Sequence, residues 1–437
     1  MSNIVAIVGR PNVGKSTLFN RLTGTKSAII DPTSGVTRDR HYGKSNWNGK
    51  EFSVIDTGGY MVGGDDVFEK EICQQVRIAI EEADAILFLV DAKEGITSMD
   101  EDVADILRRS NKRTLLVVNK VDTFAKSMAA PEFYSLGLGE LYEISAANGS
   151  GTGELLDELV KDFTAEEQFD DPLDNLPHLA VVGRPNVGKS SFINMITNQD
   201  RNIVKDVAGT TRDSINTRYN LFGFDFVIVD TAGLRKKNAV KENIEFYSVM
   251  RAIRSLEMSD VCILIVDASV GFDAQDLNIL SLCERNNKGV VICVNKWDKI
   301  EKQTNTMKVF EEQIRQKIAP FTDVPIIFTS VINKQRIFKV LEAARTVYEN
   351  RQRKIPTSKL NEDILPIVKE QNPPAEYKGK RVKIKYITQL KTPYPQFVFY
   401  CNLPQYVKQD YIRFCENKLR EFYDFNGVPV TVYFREK

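Results

Sequence analysis

Lys15 and Lys189 sit in the same nine-residue setting. Gly9-Arg10-Pro11-Asn12-Val13-Gly14-Lys15-Ser16-Thr17 returns as Gly183-Arg184-Pro185-Asn186-Val187-Gly188-Lys189-Ser190-Ser191, with eight of nine positions identical. Both runs fit G-x-x-x-x-G-K-[ST]. Gly9, Gly14, Gly183 and Gly188 let successive backbone N–H groups converge on phosphate oxygens with no Cβ in the way. The N-terminus of a following helix adds positive potential at the same place. The lysine ammonium can meet the outer phosphates, and the Ser16 and Ser190 hydroxyls can enter a Mg²⁺ shell. Thr17 and Ser191 complete the two loops and count among the nucleotide contacts.

A second pair of motifs follows at constant spacing. Gly35-Val36-Thr37-Arg38-Asp39 and Gly209-Thr210-Thr211-Arg212-Asp213 lie 174 residues apart. At that same offset Asp56-Thr57-Gly58-Gly59 matches Asp230-Thr231-Ala232-Gly233. D-x-x-G after a buried strand suits a sensor of metal and terminal phosphate: Asp56 and Asp230 hold the Mg²⁺ shell, and the Gly59 and Gly233 amides meet the γ-phosphate. Thr37 and Thr211 can join the metal shell only while that phosphate is present, which makes their segments switches.

Base selection is read further along. Asn119-Lys120-Val121-Asp122 and Asn295-Lys296-Trp297-Asp298 each end an apolar run. The Asp122 or Asp298 carboxylate can accept from both the N1–H and the exocyclic amine of guanine. Adenine offers neither donor and would leave the charge unpaired, which is a strongly discriminating arrangement. Ser145-Ala146 fits the small-residue loop that supports the base, and its counterpart is Ser330-Val331.

Two copies of this set predict two copies of one fold. Apolar runs at Ile4–Val8 and 178–182 precede the loops, and helix-like stretches at 18–22 and 192–196 follow them. Strand, loop and helix in that order are the setting the motif needs. The fold class expected is α/β, two tandem P-loop domains of mostly parallel sheet flanked by helices. The boundaries expected are 1–163 for the first domain, 164–177 for a linker, 178–350 for the second domain, and 351–437 for a smaller α+β module.

Five ordered motifs, duplicated in one chain with this tail, resemble the Der/EngA family of bacterial tandem GTPases, over nearly the whole length. The resemblance implies GTP hydrolysis with Mg²⁺, large (50S) ribosomal subunit and its rRNA as partners, and a KH-like terminal domain. Tyr60 and Leu234 follow the two D-x-x-G motifs where other enzymes of this kind carry a water-orienting glutamine. Relatives with an apolar residue there, and with asparagine where Asn12 and Asn186 stand, recruit K⁺ beside the phosphates. K⁺ is therefore the implied activator. Val331 departs from the alanine usual at its place, but its backbone can still serve.

Composition agrees with a multidomain globular chain. It has 437 residues, 42% apolar, and a formal net charge of zero. No stretch approaches the roughly eighteen apolar residues of a membrane span. Met1-Ser2-Asn3 lead straight into the first apolar run, so no leader is expected. Six scattered cysteines without a C-x-x-C read as reduced core residues of a cytoplasmic protein. Only His41 and His178 are present, which argues against a zinc site or a histidine-based triad. A monomer is expected when the protein is free.

The zero net charge hides an asymmetry. Residues 164–177 hold five acids, two prolines and no basic residue, the composition of an extended linker. Residues 351–437 hold 17 Lys and Arg against 9 Asp and Glu, a surplus of eight that the rest of the chain offsets. A basic end on an acidic body points to a polyanionic partner. Within it the pattern predicts a helix over 357–369, strands over 382–387, 397–402 and 429–434, a helix over 411–422 with Phe422 inward, and a turn at Asn426-Gly427. No G-x-x-G clamp is present. Lys380, Arg381, Lys383 and Lys385 form a basic row on and before the first of these strands, with Val382, Ile384 and Tyr386 alternating inward.

Overall fold

A computed structural model describes residues 3–24, 42–57, 65–122, 130–163, 176–197, 217–229, 253–301, 305–371, 374, 379 and 381–436. The chain forms two compact units. One comprises Met1–Asp170 with Val240–Arg254, the other Asp171–Ala239 with Ser255–Lys437.

The first unit is built on a six-stranded sheet. β1 (Asn3–Val8), β2 (Tyr42–Trp47), β3 (Lys50–Asp56), β4 (Ala85–Asp91), β5 (Thr114–Asn119) and β6 (Leu141–Glu143) are ordered β2-β3-β1-β4-β5-β6. All neighbours are parallel except the hairpin β2–β3. Helices cover a parallel sheet on both faces, so its central strands carry unbroken apolar runs. Every residue of β4 is buried. Helix α1 (Lys15–Gly24) follows β1 directly and buries Leu18, Phe19 and Leu22. Helix α2 (Asp65–Glu82) and helix α3 (Ser98–Arg109) precede and follow β4. Thr97 caps α3, and Asp100 returns the bond to the Thr97 N–H at 3.1 Å, a reciprocal pair that fixes where the helix starts.

The second unit repeats this plan. β7 (His178–Val182), β8 (Thr217–Leu221), β9 (Phe224–Ile228), β10 (Val261–Asp267), β11 (Gly289–Asn295) and β12 (Ile326–Phe328) are ordered β12-β11-β10-β7-β9-β8, with only β8–β9 antiparallel. Asp267 pairs in register with Asn295, as Asp91 does with Asn119. Asp273 and Asp276 cap the helix Ala274–Arg285 as Thr97 and Asp100 cap α3. The tandem α/β arrangement expected from the repeated motifs is therefore the observed one.

The terminal module has its own core and sheet. β13 (Ile384–Gln389), β14 (Gln396–Cys401) and β15 (Thr431–Glu436) are ordered β13-β14-β15, antiparallel then parallel. One face packs on Leu360, Ile364, Val368, Cys415 and Leu419. Three local expectations need correction. The helix over 357–369 is broken: an α-helix covers Thr357–Asp363, and a wider helical turn covers Ile367–Gln371. Pro366 lies between them and cannot donate the backbone bond that a continuous helix needs. The strand alternation also changes phase, because the register shifts between Ile384 and Tyr386. Val382, Ile384 and Ile387 point inward, Arg381, Lys383 and Lys385 are exposed, and Tyr386 stacks on Tyr400 with ring centroids 4.4 Å apart. Phe422 is 45% exposed, and Tyr423, four residues after Leu419, takes the buried place and donates to Asp363 at 2.8 Å.

This module is joined tightly to the six-stranded sheet of its own unit. The Val290 N–H donates to the Gly427 carbonyl at 2.7 Å, and the Gly427 N–H to the Asp323 carbonyl at 3.1 Å. Val428 belongs to the core of that sheet. Arg420 donates to the Val428 carbonyl at 2.8 Å and pairs with Asp323. Gly427 has φ +73, and a Cβ there would stand 2.6 Å from Val347 Cγ2 and 2.8 Å from the Val290 carbonyl oxygen.

The six cysteines are free, and five of them are buried. Burial pushes the Cys293 thiol up to about 12. Among the described residues no helix is long and apolar enough to cross a membrane. The 164–177 segment, apart from its last two residues, lies outside the described residues, as do His41 and Lys380.

Candidate functional site

In both units the described candidate residues gather at the carboxyl ends of the parallel strands, where open α/β sheets bind ligands. The chain leaves β1 at Val8, turns through Gly9 to Gly14, and enters α1 at Lys15. Gly14 has φ +99, and a Cβ there would stand 2.3 Å from Asn119 Nδ2. Its counterpart Gly188 has φ +108, with Asn295 Nδ2 at 2.4 Å from the same hypothetical atom. Only glycine fits so close an approach in a left-handed conformation. Asn12 and Asn186 both have φ 64, and Lys120 and Lys296 have φ 68 and 62. Four non-glycine residues held left-handed at matching places, at roughly 1 kcal/mol each, mark a geometry that the surrounding structure enforces.

Lys15 is 5% exposed and donates to the carbonyls of Gly9 and Arg10 at 2.8 and 2.7 Å. Lys189 donates to Gly183 and Arg184 at 2.6 Å each. Burial lowers both ammonium groups to about 8, opposed by nearby Asp56 for Lys15 and by Asp276 for Lys189. The Ser16 hydroxyl donates to Asp56 Oδ2 at 2.6 Å, so α1 and the end of β3 bring two oxygen ligands together. Ser190 lies in the first turn of the matching helix, Lys189–Thr197, but Asp230 lies outside the described residues. Thr37, Gly59, Thr211 and Gly233 also lie outside them, with Tyr60 and Leu234. Thr17 and Ser191 are exposed on the first turns of their helices.

A single asparagine of the N-K-x-D turn ties the phosphate loop to the Ser145-Ala146 loop. Asn119 Nδ2 donates to the Val13 carbonyl at 2.7 Å, and Asn119 Oδ1 accepts from the Ala146 N–H at 2.9 Å. Asn295 does the same between the Val187 carbonyl, at 2.9 Å, and the Val331 N–H, at 3.1 Å. Valine in place of alanine thus leaves this backbone contact intact. Ser145 and Ser330 are buried in the two loops, where the Ser145 carbonyl accepts from the Gly149 N–H and the Ser330 carbonyl from the Gln335 N–H. Asp122 and Asp298 follow directly on the left-handed Lys120 and Lys296 turns.

Several acidic partners of the motif residues belonged to no motif themselves. Lys120 bridges the Asn12 carbonyl, at 2.8 Å, to Asp91, and Lys296 bridges the Asn186 carbonyl, at 2.9 Å, to Asp267 at 2.5 Å. Burial raises the Asp267 carboxyl, but bonds from Lys296 and Ser269 outweigh it and hold the group below its ordinary value. Arg10 donates to Asp100 at 3.2 Å and pairs with Glu94, while Arg184 donates to Asp276 at 3.0 Å and Asp273 at 2.9 Å. Both arginines thereby anchor the phosphate loop to a helix cap. One signal was present: Asp91 to Asp267 and Asp100 to Asp276 have the same 176-residue separation as Asn119 to Asn295.

Two models of known families account for most of the chain. The one described as 50S ribosome-binding GTPase matches residues 4–120 and again 178–296, and the one described as the C-terminal KH-domain-like region of EngA bacterial GTPase enzymes matches 354–435. A GTPase Der of Christiangramia forsetii is 62% identical over the full length of both chains. Those of Flavobacterium johnsoniae and Flavobacterium psychrophilum are 59% and 60% identical, again end to end. The chain belongs to the GTPase Der family. It is a GTPase that binds GTP and GDP, with two similar G domains and a KH-like domain at its C-terminal end.

Proposed function

We propose that this GTPase is an assembly factor for the large (50S) ribosomal subunit that binds rRNA through nucleotide-dependent rearrangement of its domains, acting as a free monomer in the cytoplasm. The observation that carries the reading is the asparagine bracket, present in both units, which joins phosphate loop, N-K-x-D turn and base loop. Residues 1–163 and 178–350 are the two nucleotide modules, joined by the acidic 164–177 linker, and 351–437 is the RNA-facing module.

In each module the loop residues Gly9, Asn12, Gly14, Ser16 and Thr17, or Gly183, Asn186, Gly188, Ser190 and Ser191, enclose the phosphates. Lys15 and Lys189 offset charge on the transferred phosphoryl group. Asp122 and Asp298 read guanine, positioned by Asn119, Lys120, Asn295 and Lys296, with Ser145-Ala146 and Ser330-Val331 behind the base. Ser16 and Asp56, two hard oxygen donors already in contact, fit Mg²⁺, and Ser190 with Asp230 is the matching pair. Bound there, Mg²⁺ would offset negative charge between the outer phosphates. Thr37 and Thr211 complete the switch, and Gly59 and Gly233 report the γ-phosphate. Tyr60 and Leu234 leave no glutamine to orient water; K⁺ held near Asn12 and Asn186 would supply the missing positive charge. Turnover is then higher in K⁺ than in Na⁺, and Asn12→Ala with Asn186→Ala abolishes the difference; equal rates in both salts for the parent protein would refute K⁺ activation.

Pelleting with ribosomal particles tests the main reading. Co-sedimentation with the large subunit in a non-hydrolysable GTP analogue, and less in GDP, is expected. Equal sedimentation in both, or none in either, overturns it.

A further inference from the structure

The two units hold their base-supporting loops differently. In both, the loop is closed on itself and its leading amide is held by the asparagine bracket. The first loop has an additional tie. Arg21, half-buried in the last turn of α1, donates from Nε to the Ala146 carbonyl at 2.5 Å and from Nη2 to the Ala147 carbonyl. A planar guanidinium presents its donors as a rigid fork, so two consecutive carbonyls fix it in one orientation, and it fixes them in turn. Because each peptide unit is planar, holding these two oxygens sets the peptide planes on both sides of Ala147. At the 174-residue offset the second unit has Met195, whose thioether side chain carries no N–H donor.

We infer that Arg21 is a positioning residue for guanine recognition in the first GTPase unit, clamping the base-supporting loop to the helix that carries Lys15. Helix α1 then links the two ends of the nucleotide. Its first residue, Lys15, belongs to the phosphate loop, and its last turn grips the loop that backs the base. Met195 cannot supply this fork in the second unit, so the two sites differ in how the base loop is tied to the helix. The inference rests on the reading of Ser145-Ala146 as the base-supporting loop.

The test uses the full chain carrying Lys189→Ala, so that the first site is read alone. Adding Arg21→Ala should raise KM for GTP about tenfold, the net loss of one hydrogen bond to a charged group. It should speed release of a fluorescent GDP by a similar factor and leave kcat within about twofold, because no group near the γ-phosphate is touched. Arg21→Lys, which keeps the charge but can satisfy only part of the fork, should fall between parent and alanine variant even if Arg21→Ala folds poorly. KM and release unchanged in both variants would overturn the inference, as would a fall in kcat at constant KM. Asp122→Asn in the same background separates the two claims. If it weakens GTP and favours XTP while the Arg21 variants behave as parent, only the role of Arg21 fails. If it leaves GTP unaffected, the reading of the base site fails.

Discussion

Lys15 and Lys189 show how one buried charge links binding to pH. Each is surrounded by its own loop, donates to two backbone carbonyls, and is lowered to about 8 by burial. An unfolded lysine titrates near 10.4. Between about pH 8 and 10.4 the unfolded chain therefore holds protons that the empty folded chain has lost, and folding stability rises with pH across that window. Nucleotide binding has the opposite sign. Phosphate anions favour the charged ammonium, so binding at pH 8 takes up roughly half a proton per site, and affinity falls as pH rises above 8. Calorimetric titration in buffers of different ionisation heat measures that uptake directly. Zero uptake at pH 8 would mean that these lysines are fully charged in the empty protein.

At the scale of elements, the motifs that touch a ligand were legible because each needs particular residues at fixed spacing. Gly14 and Gly188 are required by an asparagine 2.3–2.4 Å from where a Cβ would stand, and the duplicated pattern recorded that requirement. The supports were harder to read. Arg10 acts through a partner 90 residues away and Arg21 through one 125 residues away, and nothing local distinguishes a clamping arginine from a solvated one. In the terminal module the apolar periodicity located the three strands and the two α-helices but not the short helical turn Pro404–Tyr406; Pro366 divided the first helix, and the register shift after Ile384 turned Tyr386 outward. The Asn426-Gly427 turn was readable as a turn; its role in joining two sheets was not. At that turn a Cβ would meet Val347, Val290 and Pro325 within 2.9 Å, in a left-handed conformation. Gly427→Ala should cost about 2–4 kcal/mol and lower the thermal midpoint by about 5–10 °C. Differential scanning calorimetry checks it, and an unshifted transition would show that the junction yields without strain.

Across the whole molecule, charge is segregated: the last 87 residues carry a surplus of eight positive charges against an equal deficit elsewhere. Arg381, Lys383 and Lys385 are exposed beside an inward Val382 and Ile384, so the edge strand presents a basic row over an apolar core. Such a row follows a phosphate backbone with little base preference, and its contribution falls with salt. Lys383→Glu with Lys385→Glu should weaken co-sedimentation with the large subunit, make its salt dependence shallower, and leave GTP hydrolysis by the isolated protein nearly unchanged. A variant that sediments as the parent does across the salt series would assign that charge to solubility instead. Beneath this partner chemistry lies the claim that one chain houses two complete guanine-nucleotide sites. Counting nucleotide bound at saturation, by equilibrium dialysis of the full chain with labelled GDP, tests it most directly. The account predicts two per chain, falling to one in Lys15→Ala and to one in Lys189→Ala. One per chain in the parent protein, or two retained in either variant, would contradict it.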